Sequence, residues 1–228
     1  MIEESTNESE GTNHLIRVEA GAVTLDGVLI IPENAHGLVI LPRGFESDEF
    51  HAYLTTIALA FNQQELATLQ VEMFTPEEKE LETLTGYFGQ NTDIMQQRFV
   101  GMADWLLEYE ETRNFSIGYF GTGPLGAAAL IAAAERPDNV RTVVSAGGSV
   151  ELVHNTHLGD IVAPVLLLAA ENDAEGVKAN QDLLVGLKGQ KEFEMVAGVQ
   201  ALFSEQRGVD EVIRLAGAWF TRWLVTIV

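Results

Sequence analysis

Short apolar runs alternate with amphipathic stretches along most of this chain. Residues 37–42 (GLVILP) and 164–170 (PVLLLAA) are continuous hydrophobic runs of strand length, the pattern of strands covered on both faces of a parallel sheet. Residues 66–73 (LATLQVEM), 115–120 (FSIGYF), 140–145 and 191–196 read as further strands. Residues 14–20 and 23–32, either side of Gly21, predict an opening hairpin. Ile94, Met95, Phe99, Met102, Trp105 and Leu106 recur at helical spacing and predict one buried face of a helix over 92–111. Other helices are expected from a cap at Ser47 or Asp48 to about residue 65, over 127–135 with a stop at Arg136-Pro137, over 175–187 and over 209–224. Residues 74–90 read as a long polar excursion bordering a crevice.

Strands alternating with helices after an antiparallel start predict one α/β domain over residues 13–228. Its sheet should be twisted and mostly parallel, of about eight strands, with helices on both faces and an antiparallel N-terminal hairpin. Residues 1–12 are acidic and almost devoid of apolar side chains, which predicts a disordered tail.

Composition narrows the function. With 228 residues, 46% of them apolar and 21% charged, the chain is long enough for a sizeable core. It has no apolar run of membrane-spanning length and no basic, apolar leader, so a cytoplasmic location is expected. The lack of cysteine excludes disulfides, thiolate metal sites and a cysteine nucleophile. Thirty-four acids against thirteen bases give a net charge of −21. Such a surface repels nucleic acid and anionic lipid, and neither is expected as a partner. The acidity fits a host with a salty interior and fits an ordinary acidic protein equally well.

The sharpest local signal is GTGPLG, residues 121–126, between an apolar strand and an alanine-rich helix. Gly121, Gly123 and Gly126 spell Gly-x-Gly-x-x-Gly, the dinucleotide-binding fingerprint. The same turn also fits the nucleophile elbow Gly-x-Ser-x-Gly, with Gly121 matching, Gly123 where the serine belongs and Leu125 in place of the second glycine. The nucleotide reading lacks its ribose-binding acid, because the next strand ends in Ser145-Ala146-Gly147.

Taken together, the opening hairpin, GLVILP, ELATLQVEMFTPEE, GYFG and PVLLLAAENDAEGV resemble, in order, the dienelactone hydrolase-like branch of the α/β-hydrolases. The resemblance runs from about residue 14 to 224. It implies a serine–acid–histidine triad in that chain order, with two backbone N–H donors for the oxyanion. Asp173 matches the acid. Gly123 occupies the nucleophile position, and VAGVQALF places Ala201 where the histidine is expected. Arg43-Gly44 stands where the family's His-Gly oxyanion loop falls. Pro124, after the nucleophile position, has no N–H to donate. Catalysis by the family's route is therefore expected to be lost, with Asp173 the surviving triad position.

Ser145 and Thr122 are candidates to face the crevice, and His154 or His157 offers a loop partner for a relocated serine–histidine pair. Bland roles compete: Ser145 as a strand end, the histidines as solvated loop residues, and Asp173 as the N-cap of the following helix. His154, His157 and Asp160 are too sparse for a metal site; no metal or cofactor is expected. Arg43 suits a carboxylate or phosphate, or else pairs only with Glu46 or Asp48. The reading is a non-catalytic binding protein for a small acidic ligand or a protein partner, with Arg43, Gly44, Phe45, Thr122, Gly123, Pro124 and Ser145 as the candidate ligand site. The alternatives are a hydrolase of a carboxylic ester or lactone acting through Ser145, and nucleotide binding at Gly121–Gly126. Oligomeric state stays open.

Overall fold

A computed structural model describes residues 12–153 and 158–224; residues 1–11 of the expected acidic tail lie outside them, and its last residue, Thr12, instead opens the first strand. Nine-residue strands β1 (Thr12–Ala20) and β2 (Val23–Ile31) form the hairpin, closed at Gly21 with φ 72°. They are followed by β3 (Leu38–Arg43), α1 (Asp48–Gln63), β4 (Ala67–Glu72), α2 (Pro76–Thr85) and α3 (Thr92–Glu108). Then come β5 (Ile117–Thr122), α4 (Gly123–Glu135), β6 (Val140–Gly148), β7 (Val165–Ala170), α5 (Ala174–Gly186), β8 (Lys191–Val196) and α6 (Gln206–Trp223).

One eight-stranded sheet results, in the order β1-β2-β4-β3-β5-β6-β7-β8. Pairing is antiparallel from β1 to β2 and from β2 to β4, and parallel from β3 onward. The apolar runs serve two cores at once. Leu38 and Ile40 of β3, with Leu167 of β7, pack with α3, α4 and α5. Val39 and Leu41, with Leu166 and Leu168, pack with α1 and α6 on the other face. The period-two pleat sends neighbours to opposite faces, so a strand covered on both sides must be apolar throughout.

Helix α4 buries Leu125 and the run Ala127–Ala133, and an alanine-rich surface lets it approach the sheet and α3 closely. The expected polar excursion contains a helix instead: α2 buries none of its residues, so no hydrophobic period marks it. Its start is set by a capping box, in which Thr75 accepts from the Glu78 N–H and Glu78 accepts from the Thr75 N–H. Arg98, buried on α3, pins it from below by donating to the Met73 carbonyl and pairing with Glu78. Strand β6 also runs three residues past its expected end.

Candidate functional site

The turn at Gly121–Gly126 joins β5 to α4, and each of its glycines has a local cause. Gly123 has φ 49°, the left-handed region, and a Cβ there would meet no atom of the described residues within 4 Å beyond its own turn. Side chains of L-residues are disfavoured at that φ, so glycine relaxes a sharp strand-to-helix reversal. At Gly121 a Cβ would lie 2.5 Å from the Leu125 carbonyl oxygen, and at Gly126 it would lie 2.4 Å from Ser145 Oγ. Those two positions carry glycine because α4 presses against the sheet. Close packing and one positive φ thus account for the Gly-x-Gly-x-x-Gly spelling without a nucleotide. The turn is held further by the Ser149 N–H donating to the Gly123 carbonyl at 2.8 Å.

Ser145 does not face a crevice. It is fully buried, and its hydroxyl lies against Gly126 and Gly148 without a hydrogen-bond partner among the described residues. Thr122 is buried too, its hydroxyl likewise unpartnered. Both were candidates for the crevice, but strand ends covered by α4 have no solvent-facing side there. His154 and His157 lie outside the described residues; among the described residues no group of three metal-ligating side chains occurs.

Asp173 follows β7 and caps α5, its Oδ1 accepting from the Gly176 N–H at 2.9 Å. The capping role weighed from the sequence is the one the carboxylate performs. Ala201 is exposed in the loop between β8 and α6. Gly123, Asp173 and Ala201 therefore all follow the carboxyl ends of parallel strands, the edge where open α/β sheets place ligands.

An open cleft of about 630 Å³ lies at the same edge, beside β3 and β4. Arg43, Gly44 and Phe45 line it; Thr122, Gly123, Pro124 and Ser145, grouped with them from the sequence, are not among its lining residues. The Arg43 guanidinium donates to Thr55 Oγ1 at 2.9 Å and lies 3.6 Å from Glu72. Its partner is thus Glu72, not Glu46 or Asp48, because β3 and β4 run side by side with Arg43 opposite Glu72. Lys79 of α2 reaches the other Glu72 oxygen at 2.5 Å, so one carboxylate holds two cations. Glu46 folds back to accept from the Gly44 N–H at 2.9 Å and lies 3.6 Å from His51 Nε2. Phe45 stacks on Phe74, centroids 4.1 Å apart. At the outer face of α2, hydrogen bonding to its own backbone, then to Thr75, holds the Glu77 carboxyl below its ordinary value.

Sequence reasoning missed Glu72, Lys79, His51 and Thr55. Only the capping box before Lys79 carried a local signal; the rest depend on which strands are neighbours.

A mostly parallel eight-stranded sheet with a strand–turn–helix after its fifth strand defines an α/β-hydrolase fold. No protein-family model matches the chain. A dienelactone hydrolase of Anabaena variabilis is 33% identical, with a TM-score of 0.89 over 94% of this chain and 99% of that one. The chain belongs to the dienelactone hydrolase family. Est1E of Butyrivibrio proteoclasticus, 12% identical, shares the fold with a TM-score of 0.72 over 91% of this chain and 98% of its own. Two Mycobacterium tuberculosis proteins, from strains CDC 1551 / Oshkosh and ATCC 25618 / H37Rv, are provisionally named phosphoribosyl transferases. Each is 32% identical over 205 residues, 90% of this chain but 45% of theirs. The chain thus spans about half the length of these two relatives.

Proposed function

We propose that this domain is a non-catalytic member of its family that binds a small acidic ligand in the cleft at Arg43. One observation carries the reading: Gly123, at positive φ with open space above it, stands without a side chain at the strand-to-helix turn. Pro124 beside it has no N–H to offer an oxyanion, and Ala201 offers no base. In a serine protease, loss of the nucleophile or base alone lowers turnover by about 10⁶. Loss of an oxyanion donor removes roughly 3 kcal/mol more of transition-state stabilisation. A hydrolase working through Ser145 draws no support from a hydroxyl with no exposure. The transferase name of the mycobacterial relatives describes proteins of which this chain matches less than half.

Arg43 and Lys79 supply the affinity for an acid. Both are partly exposed, and both line the cleft. A ligand carboxylate there shares them with Glu72, each charge-assisted hydrogen bond contributing about 1.5–3 kcal/mol.

The test pairs a negative with a positive. Hydrolysis of p-nitrophenyl acetate and of a simple lactone should not exceed the buffer rate. Calorimetric titration with small carboxylates should show saturable binding that Arg43→Gln weakens about tenfold or more. Turnover that a serine-directed phosphonate abolishes would overturn the first half, and carboxylate binding indifferent to Arg43→Gln the second.

A further inference from the structure

We infer that the ligand of the Arg43 cleft is a zwitterion, carrying an ammonium group as well as a carboxylate. The inference rests on the proposal that this cleft is the ligand site. Two cations line it, Arg43 and Lys79, against three carboxylates, Glu46, Asp48 and Glu72. The charges fall into two groups of opposite net sign. Arg43, Glu72 and Lys79 form one bonded group at the ends of β3 and β4 and on α2, with a net charge of +1. Glu46 and Asp48 sit on the loop and first turn of α1, a net −2 apart from His51, which faces Glu46 at 3.6 Å.

Asp48 is the telling member. It lines the cleft, it is exposed, and its carboxylate has no ion pair among the described residues. A ligand with only negative charge gains from Arg43 and Lys79 but is opposed by Asp48 and Glu46 within the same cleft. At about 0.1 M salt the Debye length is about 10 Å, so charges closer together than that are not fully screened from one another. A ligand with one group of each sign answers both halves, its carboxylate toward Arg43 and Lys79 and its ammonium toward Asp48 and Glu46. Phe45 and Ala52 add apolar surface for the carbon chain that separates the two groups, and the exposed ring of Phe45 favours a nearby cation. The chemical class is a small amino acid or ω-amino acid.

Matched probes separate this inference from the proposal beneath it. Glycine, 4-aminobutyrate and 6-aminohexanoate are titrated calorimetrically beside acetate, butyrate and hexanoate, with butylamine as the purely cationic control. At least one amino acid should bind about tenfold more tightly than the acid of the same length, and butylamine more weakly still. Asp48→Asn should bring that amino acid down to the affinity of its plain acid, while the acid itself binds as well as before or better. Lys79→Gln should weaken both. If every plain acid binds as tightly as its amino counterpart, the zwitterion is wrong and the acidic-ligand reading stands. If butylamine binds best, or nothing binds, both fall.

Discussion

Replacing Gly123 by alanine isolates the backbone conformation of the turn. The φ of 49° lies in the left-handed region, and the new Cβ meets nothing among the described residues within 4 Å, so no packing change with them accompanies the substitution. An L-residue held there costs about 1–2 kcal/mol relative to glycine. Reduced freedom of the unfolded chain returns about 0.5 kcal/mol. The net loss should be close to 1 kcal/mol, a fall of about 2–4 °C in melting temperature for a domain of this size. Gly123→Ser should lose stability in the same way, since its Cβ takes the same left-handed backbone position. Gly121→Ala is the contrasting control. Its Cβ would lie 2.5 Å from the Leu125 carbonyl oxygen and 2.7 Å from Gly126 Cα, both backbone atoms. Overpacking of that kind costs about 1–3 kcal/mol or more, so this variant should be the less stable of the two. Urea unfolding followed by far-ultraviolet circular dichroism measures both, with unchanged slopes required for the comparison. An unmoved midpoint for Gly123→Ala, or one displaced as far as that of Gly121→Ala, would refute the assignment of strain to Gly123 and of crowding to Gly121.

The triple variant Gly123→Ser, Pro124→Thr, Ala201→His restores nucleophile, donor and base together. It should show weak esterase activity that Asp173→Asn removes, while no single change shows a gain; inactivity with the triad geometry formed would mean the second donor is closed. Glu65, at φ 61°, occupies the left-handed position after α1, where the Leu66 N–H donates to Phe61 and the Glu65 N–H to Asn62 in a Schellman arrangement. Glu65→Gly should therefore raise stability by about 0.5–1 kcal/mol in the same urea assay. Tyr119 is fully buried and donates to the Phe99 carbonyl at 3.1 Å; burial first, and the charge of Asp104 second, push its phenol far above the ordinary value. The folded state thus holds that proton more tightly than the unfolded one. This contribution is intact below about pH 10 and is lost as pH rises further. Tyr119→Phe should flatten part of the alkaline stability loss. If the charge of −21 reflects a salty host, melting temperature should rise steeply with the first 0.1 M or so of monovalent salt and more slowly beyond it.

What the chain determined by itself was whatever rests on contacts between near neighbours in sequence and on continuous burial. GLVILP and PVLLLAA announce strands covered on both faces, since any polar residue there would face a core on one side or the other. The strand–glycine turn–helix at 117–135 and the cap at Asp173 are equally local. The tertiary structure decided the rest. Helix α2 showed in the sequence only as its capping box, because it is held by Arg98 and Glu72 rather than by an apolar face of its own. Arg43 found Glu72 because the sheet order sets β4 beside β3, a choice no local pattern encodes. Ser145 lost its place in the crevice because α4 packs directly over the strand end that carries it, through glycines at 126 and 148. Side-chain pairing across a sheet depends on strand neighbours, and those are selected by the burial of the whole domain.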